Sequence, residues 1–295
     1  MVSLSIVYGQ TAGQTGPAAL VKEGQTLEFG GQRAEAMALY RKALEQNPSQ
    51  FDAHLGIGRI LNMEGKYGEA RQHIQKAIEL APETGQNAAL STMGVAYAFE
   101  GNAAESAKYY QRAFDRQIEA GAPEAAAGTA NALGRVYLET GDLVNAEKWY
   151  RTGYETAQKI EKPSPEDVDL WEMRWQHAQA RIASRRKQPD AARKHVEHVR
   201  AIVEKGTLDE GQRASYPYLT GYVAFYEGRM DDAIAELSKA DQEDPFILSL
   251  LAQAYEQKKD QAKARELYKK ILESPGHSLQ VAFSRPLAAR RMAAR

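Results

Sequence analysis

The chain has 295 residues, 43% of them hydrophobic and 26% charged, which is enough apolar surface for a continuous core and excludes disorder along the whole length. Thirty-eight Lys and Arg stand against 39 Asp and Glu, a formal net charge of -1, so no general basic excess points to a nucleic-acid backbone. There is no cysteine, which excludes disulfides, cysteine-ligated zinc and a thiol nucleophile.

In chain order, Met1 to Gly9 is apolar and is followed by a Gly-, Gln- and Thr-rich stretch to Gly16. It lacks a basic n-region and a full-length apolar core. Residues 1–16 therefore read as a disordered leader, with an export-signal remnant as the alternative. The compartment is cytoplasmic or periplasmic accordingly. No later apolar run approaches the roughly 20 residues of a membrane-spanning helix.

From Pro17 onward the chain repeats itself, a signal to be sought before any local motif. Gly24, Gly58, Gly94, Gly134 and Gly221 are each followed seven positions later by a second glycine: Gly31, Gly65, Gly101, Gly141 and Gly228. An apolar helix face surrounds the first glycine of a pair, as in Ile57, Gly58 and Leu61 or Leu133, Gly134 and Tyr137. Beyond the second glycine comes a small residue, a large one four later, and usually another small one three after that. Ala36, Tyr40, Ala43 and Ala70, Ile74, Ala77 are examples, and Ala146, Tyr150, Gly153 is another. These are helical spacings. Pro48, Pro82 and Pro245 close three of the units, because proline cannot continue a helix.

Units begin near Pro17, Phe51, Asn87, Ala127, Ala214 and Pro245, with a divergent one over Leu170 to Gly206. There Lys187 replaces the turn glycine, Trp171, Trp175, Ala178 and Ile182 mark the first helix, and Ala192, Val196, Val199 and Val203 the second. Ser164 and Pro165 signal its start as N-cap and first helical residue. Ser278 to Arg295 reads as a capping helix interrupted by Pro286, with Arg290, Arg291 and Arg295 as a basic tail.

The frame resembles the tetratricopeptide repeat family over about residues 17–278. The resemblance implies an all-α, right-handed superhelical solenoid of about seven antiparallel helix pairs, one degenerate, with residues 279–295 as capping helix and tail. It also implies a concave groove, lined by the first helices, that holds a peptide segment of a partner protein. The groove-facing register then gives Arg59, Asn62, Asn131 and Arg135. The two arginines suit acidic side chains through forked hydrogen bonds, and the two asparagines suit backbone amides. Tyr218, Tyr222 and Phe225 fall on the same side as an aromatic candidate, or pack against the Trp-bearing helix. The family's chaperone-carboxylate clamp is not kept, since Val21 and Gln25 stand where Lys and Asn belong.

Catalytic patterns are missing: the sequence has no phosphate loop, no H-E-x-x-H and no G-x-S-x-G. Gly56-Ile57-Gly58 lacks the third glycine of a dinucleotide fingerprint and reads as packing. His195 and His198 lie three apart on a helix without a third ligand, whereas His54, His73 and His177 read as isolated. The sequence therefore predicts no metal, no cofactor and no enzyme. It predicts a scaffold or adaptor with a protein or peptide partner, in a bacterial envelope or regulatory assembly. The second reading is a structural subunit that docks or self-associates through its ends or convex face.

Overall fold

The computed structural model describes residues 16–294. The leader or signal reading of residues 1–15 and the last arginine of the expected tail, Arg295, lie outside the described residues. Seven helix pairs follow one another: α1 (Pro17–Phe29) with α2 (Arg33–Gln46), α3 (Phe51–Met63) with α4 (Tyr67–Leu80), and α5 (Glu83–Phe99) with α6 (Ala103–Glu119). Then come α7 (Pro123–Thr140) with α8 (Leu143–Ala157) and α9 (Pro165–Arg185) with α10 (Pro189–Glu204). After the single turn α11 (Glu210–Arg213), α12 (Ser215–Tyr226) pairs with α13 (Met230–Leu237) and α14 (Pro245–Gln257) with α15 (Gln261–Glu273). A last helix, α16 (Leu279–Ala293), ends the described chain, and no strand occurs among the described residues. Within each pair the two helices pack on each other, and the second helix packs on the first of the next pair.

The recurring glycines do two different jobs. Tyr40 explains the first. A Cβ on Gly24 would lie 2.8 Å from its ring and one on Gly56 only 2.3 Å. Tyr40 is thus gripped between the first helices of two successive repeats, and the Gly56-Ile57-Gly58 sequence is a packing device. The second job is the left-handed turn between paired helices. Gly31 adopts φ +80° there, and Lys187 takes the same conformation at φ +57° where the divergent repeat has no glycine. Around Lys187 the turn keeps its hydrogen bonds, Lys187 N to Ser184 O at 3.0 Å and Gln188 N to Ala183 O at 2.9 Å.

The third and fourth pairs start at Glu83 and Pro123, four residues ahead of the positions read from the periodicity, because Pro82 and Pro123 set the first turns. The divergent pair starts where the sequence places it: Ser164 caps α9 by accepting from Asp167 N at 3.1 Å, while Asp167 accepts from Ser164 N at 2.9 Å.

The expectation for Pro286 needs correction, since α16 runs through it without a break. A proline inside a helix costs about 3 kcal/mol, and packing on two sides outweighs that. Leu279, Val281 and Ala282 join the core cluster of the third and fourth pairs, beside Phe99, Tyr110 and Trp149. Ala288 joins the cluster of the last pair, with Leu248, Tyr268 and Ile271. The C-terminal helix therefore covers the final repeat and also reaches back to α5, spanning the groove like a strap. Arg290 and Arg291 lie within this helix, and Arg291 pairs with Glu256 at 3.4 Å.

Candidate functional site

Residues on the groove side by helical register divide into two sets. In the first repeats they are satisfied internally. Arg59 forks onto Glu28, Nε to Oε1 at 2.7 Å and Nη2 to Oε2 at 2.6 Å, and Tyr40 Oη donates to the same carboxylate at 2.7 Å. Asn62 is 1% exposed. Its Oδ1 accepts from His277 Nε2 at 2.9 Å, and its Nδ2 donates to Ala96 O at 3.4 Å. The His277 ring stacks on Phe99 with centroids 5.2 Å apart. Burial, with Arg59 nearby, pulls its pKa down to about 3, so His277 sits in the fold as a neutral imidazole. His277, just ahead of the strap, thus covers Asn62 and Phe99 on the groove side of the second and third repeats.

Towards the middle of the solenoid the groove opens into a chamber of about 950 Å³, between α7, α9, α12, the start of α14 and residues 277–280 of the strap. Asn131, Arg135 and Tyr218, three of the residues read from the sequence, line it. Arg135 Nη2 donates to Tyr218 Oη at 2.9 Å, its guanidinium lies 3.7 Å from the centre of the Phe246 ring, and Glu139 stands 2.8 Å from its Nε. Tyr222 is 2% exposed behind this wall, its ring 6.0 Å from Tyr218 and 4.7 Å from Tyr226. Phe225 is half-buried against the cluster of the sixth and seventh pairs.

The same wall carries residues that the sequence reading passed over. Arg174, His177 and Arg181 line the chamber from α9, at the i, i+3, i+7 spacing of one helical stripe. That spacing was the available signal, masked by the tryptophans of the adjoining face. His177 is 8% exposed; burial first, then Arg181 and Arg135, hold its pKa well below the usual histidine value. The two acids at the chamber wall are committed elsewhere. Asp209 accepts from Gln212 N at 2.7 Å as the cap of α11, and Asp244 accepts from Phe246 N at 2.7 Å as the cap of α14. Burial raises the Asp244 carboxyl above its ordinary value.

Other histidines also find partners. His54 and His73, read as isolated, approach to 3.0 Å between their Nδ1 atoms, because α3 and α4 bring them together across 19 residues of sequence. His195 and His198 share Gln176 Oε1, at 2.6 and 3.2 Å.

Against known proteins, two models described as tetratricopeptide repeat match, one over residues 21–83 and 218–278, the other over 85–159. The chain belongs to the tetratricopeptide repeat family. The matched stretches leave out 160–217, where this repeat protein carries its divergent pair. A stretch of 109 residues, 36% of the chain, is 32% identical to a peroxisomal targeting signal receptor of Pichia angusta, of which it covers 18%. Another of 110 residues, 35% of the chain, is 32% identical to the Arabidopsis thaliana protein described as "Probable UDP-N-acetylglucosamine--peptide N-acetylglucosaminyltransferase SPINDLY", of which it covers 12%. The chain spans less than a fifth of either relative. Among solved structures, a tetratricopeptide repeat protein from Parabacteroides merdae superposes with a TM-score of 0.56 at 17% identity, over 94% of this chain and 98% of that one. That likeness concerns the fold alone. Tetratricopeptide repeats are protein-interaction scaffolds, and no helix among the described residues is long and apolar enough to cross a membrane.

Proposed function

We propose that this chain is a non-catalytic scaffold that captures a peptide segment of a partner protein in its concave groove, at the central chamber. The chamber keeps about 950 Å³ of open space on the concave side, at the upper end of the range for small-ligand sites, while His277 covers Asn62 and Phe99 beside it. Its lining mixes Leu170, Met173 and Phe246 with Asn131, Gln212 and the arginines, which suits apolar and polar parts of a peptide together. His177 has arginines and Tyr218 for neighbours, without a carboxylate to orient it as a general base. The likeness of about a third of the chain to a relative named as a targeting signal receptor supports the reading.

A chamber-filling substitution tests it. Gly128 lines the chamber on α7, and a Cβ there would meet nothing within 4 Å, so Gly128→Trp places an indole in the space without a clash at Cβ. Wild type, Gly128→Trp and the outward-facing Val144→Ser would each be used to capture partners from native extract, with circular dichroism confirming the fold. Loss of a partner only from Gly128→Trp is expected. Retention of every partner by that variant would overturn the groove reading, and loss only from Val144→Ser would favour docking through the convex face.

A further inference from the structure

The basic stripe on α9 is electrostatically unfinished. Arg181 is 5% exposed. Its Nε donates to His177 O of its own helix at 3.4 Å, its Nη2 reaches Tyr150 Oη at 3.3 Å, and its Nη1 has no partner. His177 Nε2 is likewise buried and unpartnered. Among the described residues neither Arg174 nor Arg181 is ion-paired, whereas Arg135 across the chamber has Glu139. Arg174 is exposed, its guanidinium 4.6 Å from the Trp171 ring centre. A guanidinium buried with only long contacts to neutral acceptors is unfavourable unless an anion completes it, and the chamber's own acids are tied to helix caps.

We propose that Arg174, His177 and Arg181 form a receptor for a carboxylate of the captured peptide. Arg181 takes the carboxylate with its free Nη1, His177 donates from Nε2, and Arg174 attracts the acidic segment at the mouth. This rests on the groove reading and gives it a ligand class: an acidic peptide, its carboxylate belonging to an Asp or Glu side chain or to a chain terminus. Apolar neighbours and the chain's formal charge of -1 favour a peptide over a nucleic acid, whose binding draws on many basic contacts along the backbone.

The test is fluorescence anisotropy with the full chain and four labelled probes: a capped Glu–Ala decapeptide, its capped Gln–Ala counterpart, the Gln–Ala peptide with a free C-terminal carboxylate, and a ten-nucleotide oligothymidylate. Tighter binding of a carboxylate peptide than of capped Gln–Ala, by tenfold or more at low salt, is expected, and Arg174→Gln with Arg181→Gln should abolish the difference. Preference for the first or third probe tells side-chain from terminal carboxylate. Equal binding of all three peptides, no binding, or preference for the oligonucleotide overturns the proposal. The Gly128→Trp capture experiment still decides the groove reading in each of those cases. A melting curve of Arg181→Met supplies a second readout. A receptor arginine held at a cost to the fold gives a higher Tm with lost peptide preference, and a lower Tm would make Arg181 a structural residue and overturn the assignment.

Discussion

Two arginines on first helices of this solenoid show what burial does to a charge. Arg59, in the second repeat, meets Glu28 with both ends of its fork while the carboxylate also takes the Tyr40 hydroxyl. Arg181, in the divergent repeat, meets only a phenol and a carbonyl of its own helix, at 3.3 and 3.4 Å. A completed pair ties two repeats together, and an incomplete one keeps its capacity for something outside the chain. The strap sharpens the contrast, since it covers Asn62 and Phe99 and leaves the chamber open.

The largest expected effect comes from breaking the strap. Val281 is 2% exposed within the cluster shared with the third and fourth pairs. Val281→Asp buries a charge without a partner and should cost about 4 kcal/mol, with faster hydrogen exchange in α5 and α16. Unchanged protection of α5 would mean the strap does not hold it. Next, Arg59→Ala leaves Glu28 unpaired with its side chain 9% exposed, for a loss of about 3 kcal/mol in denaturant titration. Arg59→Ala should lower the Tm and Arg181→Met raise it, and a fall in both would make the two arginines equally structural.

A pH series addresses the strap at intermediate size. His277 has its folded pKa lowered to about 3 against an ordinary 6.5, so below pH 6.5 the unfolded chain binds a proton that the folded chain refuses. Stability due to this group is full above pH 6.5 and falls as pH drops towards 3, by about 2 kcal/mol at pH 5. His277→Gln should flatten that part of the profile in thermal melts. The smallest effect lies in the divergent turn. Lys187→Gly relieves a left-handed backbone and should add about 0.5 to 1 kcal/mol, readable as a small rise in Tm; a fall would show that the lysine side chain matters there.

Much of the architecture is legible in the residues. The Gly–x6–Gly pairs, the small-large-small second helices and the closing prolines report contacts within or between adjacent repeats, at most some forty positions apart. Tyr40 between Gly24 and Gly56 is such a contact. The divergent pair was legible at its start, from Ser164 and Pro165, and at its turn, from Lys187. What register alone could not reveal is which groove positions stay open. Arg59 and Asn131 look alike as polar residues on first helices, yet one is locked to Glu28 and the other lines the chamber.

The repeat, the pairing of helices and the turn positions can be read from the residues, because each depends on near neighbours whose spacing is written in the chain. That the turns are left-handed, that α16 crosses to α5, that Pro286 is carried inside a helix, and that Arg174, His177 and Arg181 face a chamber without a carboxylate partner emerges only once the chain is folded. Range separates the two groups. His277 reaches Asn62 across 215 residues, and the burial of a charge depends on whichever distant segments fold over it.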